Sequence, residues 1–184
     1  MDELGQVLMA SAADRDAFAE VVRNLQPEVW RFAVHLVGPE HAEDVAQETF
    51  VRAWRASASF RGESTALTWI LTICRRVCAE TWKRKQRHLR IVEAHRRRPA
   101  GPHPGGQADH SGAVELNELI DRLDPERRSA FVLTQILGVS YAEAAQICGC
   151  PLGTVRSRVA RARRVLTAMA EEHAAGNGAN QPPR

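Results

Sequence analysis

Apolar side chains in the first 90 residues recur at helical spacing between clear breaks, and no stretch there alternates with the period of two that a strand requires. Phe18, Val21, Val22 and Leu25 repeat in this way and stop before Pro27, whose fixed φ suits the first turn of a new helix. Val29, Ala33 and Val37, or Phe32 and Leu36, then carry a second helix to Gly38. Gly38-Pro39 is a stop followed by a start. It predicts a helix over about 39–57, with Ala42, Ala46, Phe50, Ala53 and Trp54 buried and Asp44, Gln47, Glu48, Arg52 and Arg55 outside. Residues 60–64 have no periodicity and contain Gly62, which predicts a loop, and Ser64 or Thr65 can cap the next helix. From Thr65 to about His88, Ala66, Leu67, Ile70, Leu71, Ile73, Cys74, Val77 and Cys78 share one broad arc. Thr68, Thr72, Arg75, Arg76 and Ala79 lie opposite, and Trp69 sits at the edge of the arc.

From Leu89 to Gly112 the pattern fails. The run Arg96-Arg97-Arg98-Pro99-Ala100-Gly101-Pro102 cannot form a helix interior or a strand, so this segment reads as a linker. Periodicity resumes at Val114, Leu116, Leu119, Ile120 and Leu123 and halts at Asp124-Pro125. It restarts through Ala130, Phe131, Leu133, Ile136 and Leu137 to Gly138. Asp124 followed by Pro125 and Glu126 has the form of an N-cap, a proline at the first helical position and an acid in the first turn. Ser140 and Glu143 form a capping box, Gly149-Cys150-Pro151 breaks the chain, and a last helix runs to about Met169. The expectation is an all-α fold of two small helical domains, 1–90 and 113–170, joined by a flexible linker over 91–112 and followed by a disordered tail over 171–184.

Charge adds a pattern that the total conceals. The 184 residues carry 25 Lys and Arg against 22 Asp and Glu, a net of +3. Yet residues 1–64 are net −5, 65–112 net +7, 113–148 net −3 and 149–184 net +4. This alternation, in register with the helices, suggests basic surfaces for a polyanion and acidic ones for another partner.

The strongest local signal is the short helix, the break at Gly149 and the helix that opens near Pro151, which have the proportions of a helix-turn-helix. On the last helix Leu152, Val155, Val159, Ala162, Leu166 and Met169 form the inward stripe. The opposite side presents Gly153, Thr154, Ser157, Ala160, Arg161 and Arg164, flanked by Arg156, Arg158 and Arg163. Small residues near the start permit close approach to base edges, and five arginines with no acid between Thr154 and Arg164 suit guanine or phosphate.

Three motifs in this order closely resemble the extracytoplasmic-function (group 4) bacterial sigma-70 family, over about residues 15–168. They are the run from Asp44 to Trp54, the loop 60–64 followed by Thr68-Trp69-Ile70, and residues 140–145 with 149–163. The resemblance implies two partners, core RNA polymerase and promoter DNA. The polymerase, through the clamp helices of its largest subunit, would meet Asp44, Gln47, Glu48, Arg52 and Arg55. The −10 element, with one base flipped into a pocket, would meet Phe60, Arg61, Gly62, Glu63, Ser64, Thr65, Trp69, Arg75 and Arg76. For Phe60 a core plug closing the loop is an equal reading. The −35 duplex would meet Gly153, Thr154, Arg156, Ser157, Arg158, Arg161 and Arg164. Many members of the family are held inactive by an anti-sigma factor covering these same surfaces, which adds a candidate partner.

Other chemistry weakens on inspection. Cys74 and Cys78 are four apart, a spacing that can ligate metal, but both lie on the apolar arc with no His or acid to complete a set. Cys148 and Cys150 are too close in a turn for an ordinary disulfide, which leaves redox sensing as the minor alternative. The seven histidines are scattered, and no nucleophile set, phosphate-cradling loop or pocketed acid pair is evident, so neither enzymatic activity, a cofactor nor a metal is expected. No stretch reaches the roughly 18 to 20 apolar residues of a membrane span, and the N-terminus opens with acids, so a cytoplasmic chain with no membrane insertion is expected. The competing function is a stand-alone helix-turn-helix regulator binding DNA as a dimer. It requires a surplus apolar dimerisation stripe, and none remains once each helix has been given a core face.

Overall fold

The computed structural model describes residues 2–10, 14–95 and 119–178, and among them every regular element is helical. The first domain comprises α1 (Glu3–Ala10), α2 (Arg15–Val37), α3 (Pro39–Ala56), a 3-10 turn (Ser57–Ser59) and α4 (Ala66–His95). The second comprises α5 (Pro125–Phe131), a π-helical turn (Val132–Ile136), α6 (Tyr141–Cys148) and α7 (Leu152–Gly178). Helix α4 packs on α2 and α3 with one side and on α6 with another.

The break expected at Pro27 does not form, and α2 passes straight through it. Proline removes the N–H that would have met the Arg23 carbonyl, but both residues lie on the exposed side, where water can serve that oxygen. Val21, Leu25, Val29, Phe32, Ala33 and Val37 keep one buried stripe across the proline. An interior proline costs about 3 kcal/mol. Each large buried side chain contributes about 1.5–3 kcal/mol. Packing therefore decides the outcome. Helix α1 is an addition to the sequence expectation. Its Leu8 is fully buried, and Asp2 Oδ1 accepts from Gly5 N at 3.1 Å and from Ala66 N at 3.3 Å, tying the chain start to the start of α4.

Thr65 supplies the cap of α4, its Oγ1 accepting from Thr68 N at 3.1 Å. The helix extends to His95, past the end expected near His88, because residues 82–95 contain neither Gly nor Pro and are largely good helix formers. Residues 91–95 of the expected linker are thus helical, and the rest of it lies outside the described residues. Likewise α7 continues through the Ala- and Glu-containing stretch beyond Met169 to Gly178, while residues 179–184 of the expected tail are outside the described residues.

In the second domain the predicted punctuation is found as side-chain geometry. Asp124 Oδ1 accepts from Arg127 N at 3.0 Å ahead of Pro125. Ser140 Oγ accepts from Glu143 N and Glu143 Oε2 from Ser140 N, each at 3.2 Å. Gly149 adopts the left-handed conformation (φ 62°, ψ 40°) that ends α6, so the Cys150 N–H turns back to the Ala145 carbonyl at 3.1 Å. Val155, Val159, Ala162 and Leu166 are buried as expected. Leu152 is not: it is 37% exposed, because the packed stripe of α7 begins one turn later at Val155. The helix expected to run unbroken to Gly138 instead widens after Phe131, where Leu137 N–H reaches the Val132 carbonyl.

Removing the Ser140 hydroxyl deletes the α6 cap. Ser140→Ala is expected to cost about 1 kcal/mol, read as roughly fivefold faster hydrogen exchange of the α6 amides at neutral pH. The Ser140 hydroxyl holds the Glu143 carboxyl below its ordinary range. A depressed carboxylate stabilises fully above its ordinary pKa and loses that contribution as pH falls through the folded value, so the difference between variant and parent should shrink in acid.

Candidate nucleic-acid and protein interfaces

The first candidate surface is the outer side of α3. Asp44, Gln47 and Arg55 are exposed, whereas Glu48 and Arg52 are half-buried. Arg52 forks onto Glu80 of α4 (3.0 and 2.8 Å) and also donates to Glu48 at 2.7 Å. The fork holds the Glu80 carboxyl below its ordinary range. Arg52 therefore braces α3 against α4, and Asp44, Gln47 and Glu48 remain along an acidic ridge with Glu43.

The second surface is the loop ahead of α4. Arg61 and Glu63 are exposed, and Gly62, Ser64 and Thr65 are partly so. Phe60 is 6% exposed, and its ring packs against Trp69 with centroids 5.4 Å apart. Of the two readings of Phe60, the plug describes its position here. Trp69 is half-buried beside a cleft of about 370 Å³ bounded by the loop, by Thr68 and Thr72, and by Gln146 of α6. The second domain thus forms one wall of that cleft.

Thr68 and Arg75, expected on the outer side of α4, face the second domain instead. Thr68 is 2% exposed and its hydroxyl donates to Glu143 at 3.3 Å. Arg75 donates to the Cys148 carbonyl at 3.0 Å and lies 3.6 Å from Glu126, while Arg76 is exposed. On the third surface Gly153, Arg156, Ser157, Arg161 and Arg164 are exposed along one side of α7, and Thr154 is partly so. Arg158 departs from that group: it pairs with Glu126 at 2.9 Å and donates to Cys150 Sγ at 3.3 Å. Arg163 donates to Gln135 of the π-helical turn.

Glu126 is the residue that sequence reasoning missed. One carboxylate serves Arg75 of the first domain and Arg158 of the second, whereas the sequence marks it only as a first-turn acid. Arg128 was equally unmarked. It is 6% exposed, bonded to the carbonyls of Asp121 and Leu123, paired with Asp121 at 3.2 Å and placed over the Trp82 ring at 5.8 Å. A longer contact at 3.5 Å reaches the Leu36 carbonyl, and Arg31 donates to the Ile136 carbonyl at 3.3 Å. Two of the four cysteines, Cys74 and Cys78, lie away from these surfaces. Cys74 and Cys78 are buried on the core face of α4, and a hydrogen bond to Cys74 together with burial pushes the Cys78 thiol up.

Two family models match the chain. Residues 21–88 match the family model described as Sigma-70 region 2, and residues 113–166 match Sigma-70, region 4. The chain is 41% identical to the ECF RNA polymerase sigma factor SigC of Mycobacterium tuberculosis, over 92% of this chain and 93% of that protein. It belongs to the extracytoplasmic-function sigma factors of the sigma-70 family. A second relative, the ECF RNA polymerase sigma factor EcfG of Rhodopseudomonas palustris, is 32% identical over 84% of this chain and 85% of its own length. Among solved structures, the sigma factor RpoE in complex with the anti-sigma factor NepR from Bartonella quintana superposes with a TM-score of 0.69 at 28% identity, covering 84% of this chain and 96% of that one. Among the described residues of this sigma factor, no helix is long and apolar enough to cross a membrane.

In the packed arrangement Glu126 competes with phosphate for two arginines. Glu126→Gln should therefore raise the affinity of the whole chain for duplex DNA in fluorescence anisotropy. Releasing up to two cations should steepen the dependence of log K on log salt by about 1 to 2. Unchanged affinity and slope would show that the pairing does not withhold these side chains.

Proposed function

We propose that this chain is an alternative sigma factor that binds core RNA polymerase, directs it to particular promoters and helps open the −10 region. It acts through binding, without chemistry of its own. The observation that carries the reading is the exposed face of α7, where Gly153 and Ser157 leave room near the helix start and Arg156, Arg161 and Arg164 follow with no acid among them. Set in a helix-turn-helix, this face suits the major groove of a −35 element. The loop 60–65, Trp69 and the cleft beside it would hold the −10 strand, with Arg76 and Arg61 at the phosphates and the ring of Trp69 available for stacking. Phe60 supports Trp69 from within. The acidic outer side of α3, centred on Asp44, Gln47 and Glu48, would meet the clamp helices of the polymerase.

The stand-alone dimeric regulator is the weaker reading. Regions 2 and 4 of one family match in one chain, in order, and the relatives named above are sigma factors over nearly their whole length. An anti-sigma factor is a further expected partner, since the structurally similar RpoE of Bartonella quintana is held by one.

Run-off transcription with core polymerase on a promoter library tests the reading directly: factor-dependent start sites support it. Failure to join the polymerase, together with dimeric binding to a palindrome, would sink it. Arg156→Ala or Arg161→Ala should weaken −35 recognition by about 1–3 kcal/mol if the contact is bidentate to a base, and an unchanged promoter profile would remove that assignment. Reversing Asp44 and Glu48 together to Lys should impair polymerase binding while the affinity for −35 duplex stays intact. Normal assembly would refute the α3 interface.

A further inference from the structure

The seam between the domains holds a cavity of about 260 Å³, apart from the loop 60–65 and from the open face of α7. Its body is apolar, with Leu36 of α2, Trp82 of α4 and Pro125 of α5 in the lining. Its charge is one-sided. Arg75, Lys83 and Arg128 line it, and the acid beside them is Glu126. Glu126 is already taken by Arg75 at 3.6 Å and Arg158 at 2.9 Å, and Arg128 faces Asp121 at 3.2 Å. Lys83 has no ion pair among the described residues, so one positive charge at the cavity is unmatched. Arg128 is 6% exposed and both its Nη groups are bonded, yet its buried Nε–H has no hydrogen-bond partner. A donor held from water without an acceptor is unfavourable, and native structures keep few of them.

We infer that this cavity is a binding site for a small aromatic monocarboxylate, with the ring against Trp82, Leu36 and Pro125 and the carboxylate between Lys83 and Arg128. Volume, lining and charge each restrict the occupant. The volume lies below the roughly 300–1,000 Å³ of sites for drug-sized ligands, which limits the molecule to about one ring with a short substituent. The apolar lining with Trp82 favours a flat aromatic body. Unmatched Lys83 calls for a single negative charge, and the unpartnered Nε–H of Arg128 calls for an acceptor, which a carboxylate combines. Glu126 stands in the same lining and repels a more highly charged anion. Leu36, Trp82 and Lys83 belong to the first domain, and Pro125 and Arg128 to the second. An occupant therefore touches both domains and favours their packed arrangement by mass action. Under the sigma-factor reading, on which this consequence rests, the compound lowers promoter-dependent transcription. The binding site itself does not depend on that reading.

Benzoate and neutral benzamide, which share a ring and differ in charge, test this with the full-length chain. Benzoate should shift the Trp82 indole N–H resonance, assigned by its loss in Trp82→Phe, with a Kd of about 1 mM as befits so small a molecule. It should also raise the melting temperature. Benzamide should bind about tenfold more weakly. Lys83→Gln removes the unmatched charge, and Ala79→Phe adds a ring to the lining; both positions are exposed, so the fold is kept. The first should weaken benzoate binding about tenfold, and the second should abolish it. An indole resonance unmoved at about ten times that Kd overturns the site. A shift that survives both substitutions does the same, as does equal binding of benzamide. With reconstituted holoenzyme, benzoate should lower run-off transcription by the parent and not by Ala79→Phe. Binding without an effect on transcription overturns the coupling to domain packing. A chain that binds benzoate but supports no transcription in its absence refutes the sigma-factor reading instead.

Discussion

Glu126 carries one negative charge and faces two arginines, Arg158 at 2.9 Å in its own domain and Arg75 at 3.6 Å from the other. Both guanidinium side chains are largely covered, at 23% and 22% exposure, while Glu126 itself is 54% exposed. Partly covered cations need a partner, and the carboxylate at the start of α5 is the one within reach. Their pairing with Glu126 is one of the contacts that hold the second domain against α4. With Glu126 in place, the Cys148 carbonyl at the end of α6 accepts from Arg75, and Glu143 at the start of α6 accepts from Thr68. Both ends of α6 are thereby fastened along α4 by hydrogen bonds.

A seam of this kind differs from a core. Its ion pairs and side chain to carbonyl bonds lie beside apolar contact, since the buried residues of α4 and α6 belong to one hydrophobic cluster that spans both domains. Arg128 looks like an exception because it is buried, and burial lowers its pKa against the pull of Asp121 and Asp124. Most of its bonds, however, lie within the second domain, to Asp121 and Leu123, and its reach to Leu36 is long at 3.5 Å. Its contacts across the seam are the Trp82 ring at 5.8 Å and that long reach to Leu36.

Local chemistry explains which parts were legible in the sequence. The Asp124 cap, the Ser140–Glu143 box, the turn at Gly149 and the buried stripe from Val155 to Leu166 each depend on residues a few positions apart, and each is present. The departures depend on partners distant in the chain. Pro27 is tolerated because a stripe shared with α3 and α4 outweighs a local rule. Thr68 and Arg75 satisfy an amphipathic pattern as outer residues, yet a second domain covers that side of α4. Periodicity identifies a polar face, but it does not distinguish water from another polar surface. For the same reason the five arginines of α7 read as one set, although Arg158 and Arg163 are held by Glu126 and Gln135 while Arg156, Arg161 and Arg164 face solvent.

The seam also treats the two proposed DNA surfaces unequally. The open face of α7 stays exposed, whereas the cleft beside Trp69 has Gln146 in its wall and Arg75 is paired. Under the sigma-factor reading, the packed chain can meet a duplex through α7 but presents an incomplete surface to a melted strand. Long-range attraction does little to offset this, because the whole chain is only +3 and its basic segments alternate with acidic ones. Under that reading, contact with both elements at once requires α6 to move off the cleft beside Trp69. Under the same reading, a near-neutral total leaves promoter affinity to short-range contact at the two surfaces together rather than to long-range attraction.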